Sequence, residues 1–326
     1  MKTPTRFVFF VAAITAFIFC PAALAQVPQT FVSARNGNDA GNCSAVTSPC
    51  RTVSYALSQV KNGGQVLMVD SGKYDSLLVI TKDVTIAAAP GVAAVFSRAV
   101  PVSSLFGFNY GSSCSGGGSG ACHWLTLRNL IFDGQGVTQY VMTAPSVKLS
   151  VEDCTFAGFD FGVRLSESGL YQFKNCVFRN LQTAILAVAE PLASQPKIQL
   201  VVEGGRFESL SISGITMSTP TREKNQSVIK LALRDTLFND AGTAIQSIVG
   251  IDGSITADLE RCEITNSTAA ILSLNPGSTV RVSNSTIVGN ITGLLFGSNG
   301  LLLSRGNNTV EGNDQNGDFT GTFSAR

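Results

Sequence analysis

Residues 150–188 read SVEDCTFAGFDFGVRLSESGLYQFKNCVFRNLQTAILAV, and this stretch contains one short motif twice. VEDCTF at 151–156 is followed by FKNCVF at 173–178, so Cys154 and Cys176 occupy equivalent positions 22 residues apart. Both copies have the form apolar-x-[Asn/Asp]-X-x-[Phe/Ile]. A motif that returns at such an interval is typical of a solenoid, in which each repeat forms one structural unit.

The motif recurs along most of the chain. Further copies read LRNLIF at 127–132, VEGGRF at 202–207, LRDTLF at 233–238, LERCEI at 259–264 and VSNSTI at 282–287, with a weaker copy at 303–310. The X positions fall at 130, 154, 176, 205, 236, 262 and 285, at intervals of 24, 22, 29, 31, 26 and 23 residues. A second short β-rich element follows each copy from 151–156 onward, and no segment between copies has the length and period of a helix.

This pattern predicts an all-β parallel β-helix solenoid of about 8–10 rungs, each built from three short strands. One rung cannot bury a core alone, and stacking pairs both edges of its strands. The Asn/Asp position lies at a bend, where a left-handed backbone is tolerated. The X position faces inward and holds Leu130, Cys154, Cys176, Gly205, Thr236, Cys262 and Ser285.

The repeated cysteines are interpreted as buried thiols that act as small hydrophobic residues. A disulfide between Cys154 and Cys176 on adjacent rungs is the alternative. No His or acidic residue shares their column, so we expect neither a metal site nor a nucleophile there.

Residues 1–25 have the features of a signal peptide: Lys2 and Arg6, an apolar run at 7–20, and Ala-Leu-Ala at 23–25. We therefore expect export to the periplasm or the extracellular space, and no membrane span. The remaining chain divides into a disulfide loop and cap helix (26–64), the β-helix (65–312) and a polar C-terminal tail (313–326).

The first rung needs a cover, because its apolar cross-section would otherwise be exposed. RTVSYALSQVKNGG at 51–64 predicts a short capping helix with Thr52 as N-cap and an end at Gly63. Val53, Leu57 and Val60 share its apolar face.

Seven of the eight cysteines follow residue 25, and four of them flank short loops. CSAVTSPC predicts a Cys43–Cys50 disulfide, and CSGGGSGAC predicts a Cys114–Cys122 disulfide. The formal charge of +1 becomes −1 once Lys2 and Arg6 are removed, and only 14% of residues are charged. This balance argues against nucleic acid and anionic membrane as partners, and we expect a monomer.

The segment FVSARNGNDAGNCSAVTSPCRTVSYAL (31–57), followed by VDSGKY (69–74) and ITKDVTI (80–86), resembles the N-terminal cap of secreted bacterial β-helix proteins. With the rung pattern, the resemblance to the pectin-lyase-like superfamily covers essentially the whole chain after the signal peptide. It implies a right-handed parallel β-helix. It does not imply one function, since the superfamily holds lyases, hydrolases, esterases, adhesins and non-enzymes.

Catalytic motifs of related enzymes do not carry over completely. Gly72 and Tyr74 match the opening of pectin methylesterases, and GFDFG and RDT resemble two of their catalytic motifs, but Asp235 follows Asp160 by 75 residues in the wrong order. Strand alternation places six residues outward on the recurring second element: Arg164, Leu186, Thr216, Gln246, Leu272 and Leu295. This face has one cation and no carboxylate, so we predict no catalytic residue, metal or cofactor on it.

Two features suggest a ligand surface. The two longest intervals between motif copies, 29 and 31 residues, contain extra residues at 189–199 and 219–227. We expect these loops to form a wall beside Arg164, Thr216 and Gln246. The wall would carry Glu190, Arg222, Glu223 and Lys224. A solvated loop edge is the alternative.

The second feature is the insertion 97–123. It places Phe106, Phe108 and Tyr110 near Trp124, which would suit stacking on sugar rings. The alternative is that Phe106 and Phe108 face the core.

We therefore expect an exported, non-catalytic β-helix scaffold that binds polysaccharide. One alternative is a polysaccharide-modifying lyase or esterase whose catalytic groups lie on loops. The other is a structural or adhesive surface protein that associates through Leu186, Leu272 and Leu295.

Overall fold

The computed structural model describes residues 26–74, 78–97, 104–108, 123–144, 147–189, 195–220 and 226–324. The described part of the chain winds into a right-handed parallel β-helix built from two parallel sheets. The predicted fold class is confirmed. Every strand pair is parallel, so each coil lies on the next with the same orientation.

The first sheet has twelve strands, which follow one another in chain order. They are β1 (Val27–Val32), β2 (Val60–Met68), β5 (Val84–Ala88), β8 (Trp124–Arg128), β10 (Lys148–Glu152), β12 (Gly169–Lys174), β14 (Lys197–Glu203), β16 (Val228–Arg234), β18 (Ser254–Glu260), β21 (Ser278–Ser283), β24 (Leu301–Ser304) and β26 (Gly321–Thr322).

The second sheet has fourteen strands and contains the rest of each coil. They are β3 (Gly72–Tyr74), β4 (Leu78–Ile80), β6 (Ala94–Ser97), β7 (Ser104–Phe108), β9 (Leu130–Ala144), β11 (Thr155–Leu165), β13 (Val177–Val188), β15 (Arg206–Ser218), β17 (Leu237–Ile248), β19 (Glu263–Thr265), β20 (Ala269–Leu274), β22 (Thr286–Val288), β23 (Thr292–Gly297) and β25 (Thr309–Glu311).

The core is ordered in columns, because the register aligns each residue with its equivalent on the next coil. The most prominent column consists of buried phenylalanines: Phe96, Phe132, Phe156, Phe178, Phe207 and Phe238. Neighbouring rings stack with centroids 4.5–5.7 Å apart. Ile264 and Ile287 continue the column toward the C-terminus.

The Asn/Asp position of the motif is a left-handed bend between the two sheets, as predicted. Its φ values lie between 49° and 65° in every coil with a full copy of the motif: Asn129, Asp153, Asn175, Gly204, Asp235, Arg261 and Asn284. The N–H of the bend residue donates to a carbonyl on the next coil, as Asn175 does to Glu203 at 2.8 Å. This bond satisfies a donor that the bend would otherwise leave unpaired.

A second left-handed bend, which the sequence analysis did not identify, divides the long strands of the second sheet. It occupies Gly158, Asn180, Ser209, Asp240, Asn266, Gly289 and Gly312, with φ between 54° and 71°. The strand therefore turns a corner in each coil, and the residues after the corner form a separate outer surface.

The column that contains the cysteines is buried throughout, and its side chains complete the hydrogen bonds of the first bend. Leu130 donates its N–H to Cys154 Sγ at 3.4 Å, and Cys262 donates its N–H to Ser285 Oγ at 3.0 Å. A small residue with an acceptor atom therefore suits this position. The three cysteines are free thiols, so the alternative disulfide is not formed.

Burial makes these thiols poor nucleophiles. It raises the pKa of Cys176 and of Cys262 to about 12, and it also raises the pKa of Cys154. A pKa above the ambient pH keeps the sulfur protonated, and the thiolate is the reactive form.

The N-terminal cap is a helix, α1 (Val53–Gln59), with Thr52 as its N-cap. The Thr52 side chain accepts the N–H of Tyr55 at 3.1 Å. The predicted end at Gly63 is wrong. The helix ends at Gln59, because Val60 adopts an extended backbone and starts β2, where it pairs with Val27.

The Cys43–Cys50 disulfide is formed, with a Cα–Cα distance of 5.3 Å, whereas Cys114 and Cys122 lie outside the described residues. At the other end, β26 pairs with β24 and Phe319 packs against the core, so the tail folds over the last coil. The predicted signal peptide also lies outside the described residues, and the domain boundaries stay predictions. No helix in the part of the chain that the structure describes is long and apolar enough to cross a membrane.

Truncating the aromatic column should test how far stability depends on stacking. We expect Phe178→Ala to destabilise the protein by about 3–5 kcal/mol, since it opens a cavity between two rings. Phe178→Ile should cost less than about 1.5 kcal/mol, because isoleucine occupies the same column at Ile264 and Ile287. Denaturant melts followed by circular dichroism would compare the two variants, and equal losses would contradict a packing origin.

Thiol labelling should test the burial of the cysteine column. We expect iodoacetamide at neutral pH to leave Cys154, Cys176 and Cys262 unmodified in the folded protein, because the thiols are buried and protonated. Unfolding in guanidinium should expose all three to labelling. Peptide mass spectrometry identifies the sites, and labelling of any of them in the folded state would show that the column opens.

Candidate functional site

The outward column predicted on the second element exists. Strand pairing aligns Arg164, Leu186, Thr216, Gln246, Leu272 and Leu295 on consecutive coils, with Thr143 before Arg164. All are at least partly exposed, and Leu295 retains 46% of its accessible surface. Their role in binding stays a prediction.

A chain of hydroxyl and amide groups connects this surface to the interior: Thr183 and Ser213 are buried, whereas Thr216 and Gln246 are partly exposed. Thr183 and Ser213 exchange a hydrogen bond at 3.1 Å, and Ser213 and Thr216 exchange one at 2.7 Å. Thr216 then donates to Gln246 Oε1 at 3.2 Å. The chain extends over three coils and fixes the positions of its two partly exposed members, Thr216 and Gln246, before any ligand arrives.

Two aromatic residues lie at the N-terminal end of this chain. The rings of Tyr140 and Phe161 stack with centroids 4.7 Å apart and an angle of 20° between their planes. The guanidinium carbon of Arg164 lies 5.8 Å from the centroid of Tyr140, within the range of a cation–π interaction. We call the partly exposed residues Tyr140, Phe161, Arg164, Thr216 and Gln246 the polar face.

A groove of about 500 Å³ adjoins the polar face at the second bend. Asp160 and Gln182 line it and directly precede Phe161 and Thr183. Gln182 Nε2 donates to Asp160 Oδ1 at 2.7 Å. The groove therefore presents one carboxylate and several neutral polar groups, with Asn180, Ser209 and Ser211 among its other lining residues.

The predicted loop wall cannot be placed beside this face, because Glu190, Arg222, Glu223 and Lys224 lie outside the described residues. Trp124 is described, and it lies in the first sheet rather than with Arg164. Its backbone N–H donates to Asp83 at 2.9 Å, and the same carboxylate oxygen contacts His123. Phe106 and Phe108 belong to β7, and Tyr110 lies outside the described residues.

The esterase-like motifs do not converge on one site. Asp235 lies at the first bend, where Arg261 binds both of its oxygens at 2.7 and 2.8 Å and lowers its pKa. Asp160 lies at the second bend, and the hydroxyl of Tyr74 donates to Asp70. Among the described residues, no group of three or more His, Cys, Asp or Glu side chains could hold a metal ion.

The first sheet carries a second surface feature, which the sequence analysis missed. Six charged residues lie in register on consecutive coils with alternating sign: Arg128, Glu152, Lys174, Glu203, Arg234 and Glu260. We call this column the charge ladder. Arg128 and Glu152 form an ion pair at 2.9 Å, and the hydrogen bond from Arg128 lowers the pKa of Glu152.

A second groove of about 500 Å³ lies at the N-terminal end of this ladder, between Arg128 and the turn at Pro90 and Gly91. Leu67 and Ala87 form its apolar floor. It shares no lining residue with the groove at Asp160.

No protein-family model and no curated protein sequence matches the chain. Solved structures of similar fold include XylC in complex with xylose, which is 9% identical over 82% of this chain and 69% of its own, with a TM-score of 0.50. They also include pectate lyase Pel9A (15% identity, 87% and 76% coverage, TM-score 0.46) and a GH136 lacto-N-biosidase from Eubacterium ramulus (12%, 91% and 67%, 0.44). At these identities the likeness concerns the fold alone, a right-handed parallel β-helix.

Proposed function

We propose that this protein is an exported scaffold that binds an extended polysaccharide on its polar face and does not cleave it. The observation that carries the proposal is that the partly exposed Thr216 and Gln246 are hydrogen-bonded to each other and held in place by buried Ser213, on the same outer surface as the stacked pair Tyr140 and Phe161. Sugars present apolar ring faces and rows of hydroxyl groups, and this surface offers a partner for each.

The dimensions also suit a polymer. Successive coils are about 4.8 Å apart, which is close to the length of one sugar unit in an extended chain. Consecutive sugars would therefore meet equivalent positions on consecutive coils. One chain carries the whole face, so binding needs no second subunit.

The charges favour a neutral polysaccharide. Arg164, the one cation in the predicted outward column, lies against the Tyr140 ring, and the adjoining groove carries the Asp160 carboxylate. A uronate polymer would bring many carboxylates toward Asp160. Xylose was bound to XylC, and this makes neutral xylans a suitable first probe alongside glucans and polygalacturonate.

Export rests on the predicted signal peptide. The Cys43–Cys50 disulfide fits this location, because such bonds persist in oxidising compartments.

Binding should depend on the aromatic pair and on the amide. We expect Tyr140→Ala to weaken binding of a neutral oligosaccharide about tenfold through loss of stacking, and Gln246→Ala to weaken it about fivefold through loss of hydrogen bonds. Gln199→Ala is the matched control, since Gln199 is an exposed polar residue of the first sheet. Isothermal titration calorimetry would measure the dissociation constants.

The same samples would be examined for new reducing ends and unsaturated sugars, with and without calcium. Turnover would overturn the non-catalytic part of the proposal and favour the enzyme alternative. No binding to any neutral or acidic polysaccharide would overturn the whole proposal and favour a structural role.

A further inference from the structure

From the charge ladder we infer that two copies of this protein associate face to face and antiparallel through the first sheet. The ladder reads plus, minus, plus, minus, plus, minus from Arg128 to Glu260. Read in the opposite direction, this series of six has the opposite sign at every position, so two antiparallel copies of the ladder are complementary. A two-fold axis between the coils of Lys174 and Glu203, parallel to the strands, produces this reversal.

All six charges then find opposite charges on the second copy. Lys174 faces Glu203, Glu152 faces Arg234, and Arg128 faces Glu260, and the symmetry repeats each pair. A parallel arrangement in the same register would instead place every charge against its like. Only this orientation and register gives all six charges a partner of opposite sign.

The central charges are available for such contacts. Lys174, Glu203 and Arg234 are exposed, and within the described part of the chain no ion pair closer than 4.0 Å involves their side chains. Arg128 and Glu152 at one end are already paired. Ion pairs between adjacent coils of one chain therefore neutralise only part of the ladder.

The neighbouring outward column allows close approach on the same side. It holds Thr126, Ser150, Gln172, Val201 and Ala232 beside the first five members of the ladder, all of them uncharged. In the antiparallel arrangement Ser150 faces Ala232 and Gln172 faces Val201. Apart from Gln172, these side chains are no larger than valine and do not hold the ladders apart.

Other charges limit the contact to the side of the first bend. Lys148 and Lys230 would face each other, but they lie four residues from the ladder along their strands, roughly 13 Å away. At the bend, Asp153 accepts a hydrogen bond from Asn175, and Arg261 pairs with Asp235.

The experiment exchanges charges across the two-fold axis and follows association by sedimentation velocity. We expect the full mature chain to form dimers at low salt and to dissociate at about 1 M salt, where the Debye length is about 3 Å. Lys174→Glu alone places two carboxylates against each other at both symmetry-related contacts, and it should raise the dimer dissociation constant at least about tenfold. Glu203→Lys alone should do the same.

The double variant Lys174→Glu/Glu203→Lys separates association from stability. It restores opposite charges between copies, so dimerisation should return. Within one chain it places like charges on adjacent coils, at Glu152 and at Arg234, so thermal stability should not return to the original value. Failure of the double variant to dimerise, a dimer insensitive to both single variants, or a monomer at every salt concentration would overturn the inference.

Discussion

The structure depends on the in-register parallel pairing of successive coils. Each strand hydrogen-bonds to its equivalent one coil away, so every position of the repeat becomes a column with about 4.8 Å between members. A side chain must therefore pack against the same position of its neighbours. Flat rings meet this condition by stacking, as Phe156 and Phe178 do at 4.7 Å and 8°. Hydroxyl groups meet this condition by hydrogen bonding to one another from coil to coil, and charged residues meet it by alternating in sign. The chemistry of this protein accordingly lies along columns rather than in clusters.

The first bend and the inward column could be predicted from the sequence because their residue types recur at one place in a recognisable motif. The second bend could not, because Gly158, Asn180, Ser209 and Asp240 share no side-chain type. Pairing with adjacent coils holds them in the left-handed region, and this is tertiary information. The predicted end of α1 was wrong for a similar reason. Gly63 is a residue at which a helix commonly ends, but pairing of Val60 with Val27 starts the strand earlier.

The sequence predicted part of the polar face, whereas the charge ladder was missed. The outward column from Arg164 to Gln246 followed from simple alternation, whereas the contact of Phe161 with Tyr140 did not. The register shifts by three residues between Asp133 and Tyr140, so counting along the chain misplaces the tyrosine. The charge ladder occupies the second position of the motif, in LRN, VED, FKN, VEG, LRD and LER. Its three positive and three negative charges cancel in the net charge, so the composition gives no sign of the ladder. The order of the residues does.

The polar face and the charge ladder lie on different sheets, so one surface can be occupied while the other remains open. A pair joined through the ladder would carry two polar faces whose coils run in opposite directions. A polysaccharide chain has a direction, and each face would bind it in one sense. A single straight chain therefore could not satisfy both faces, whereas two antiparallel chains could. Association through the ladder would thus make the protein a bridge between polysaccharide chains, and a surface with many such chains would retain the pair through avidity even if each face bound weakly.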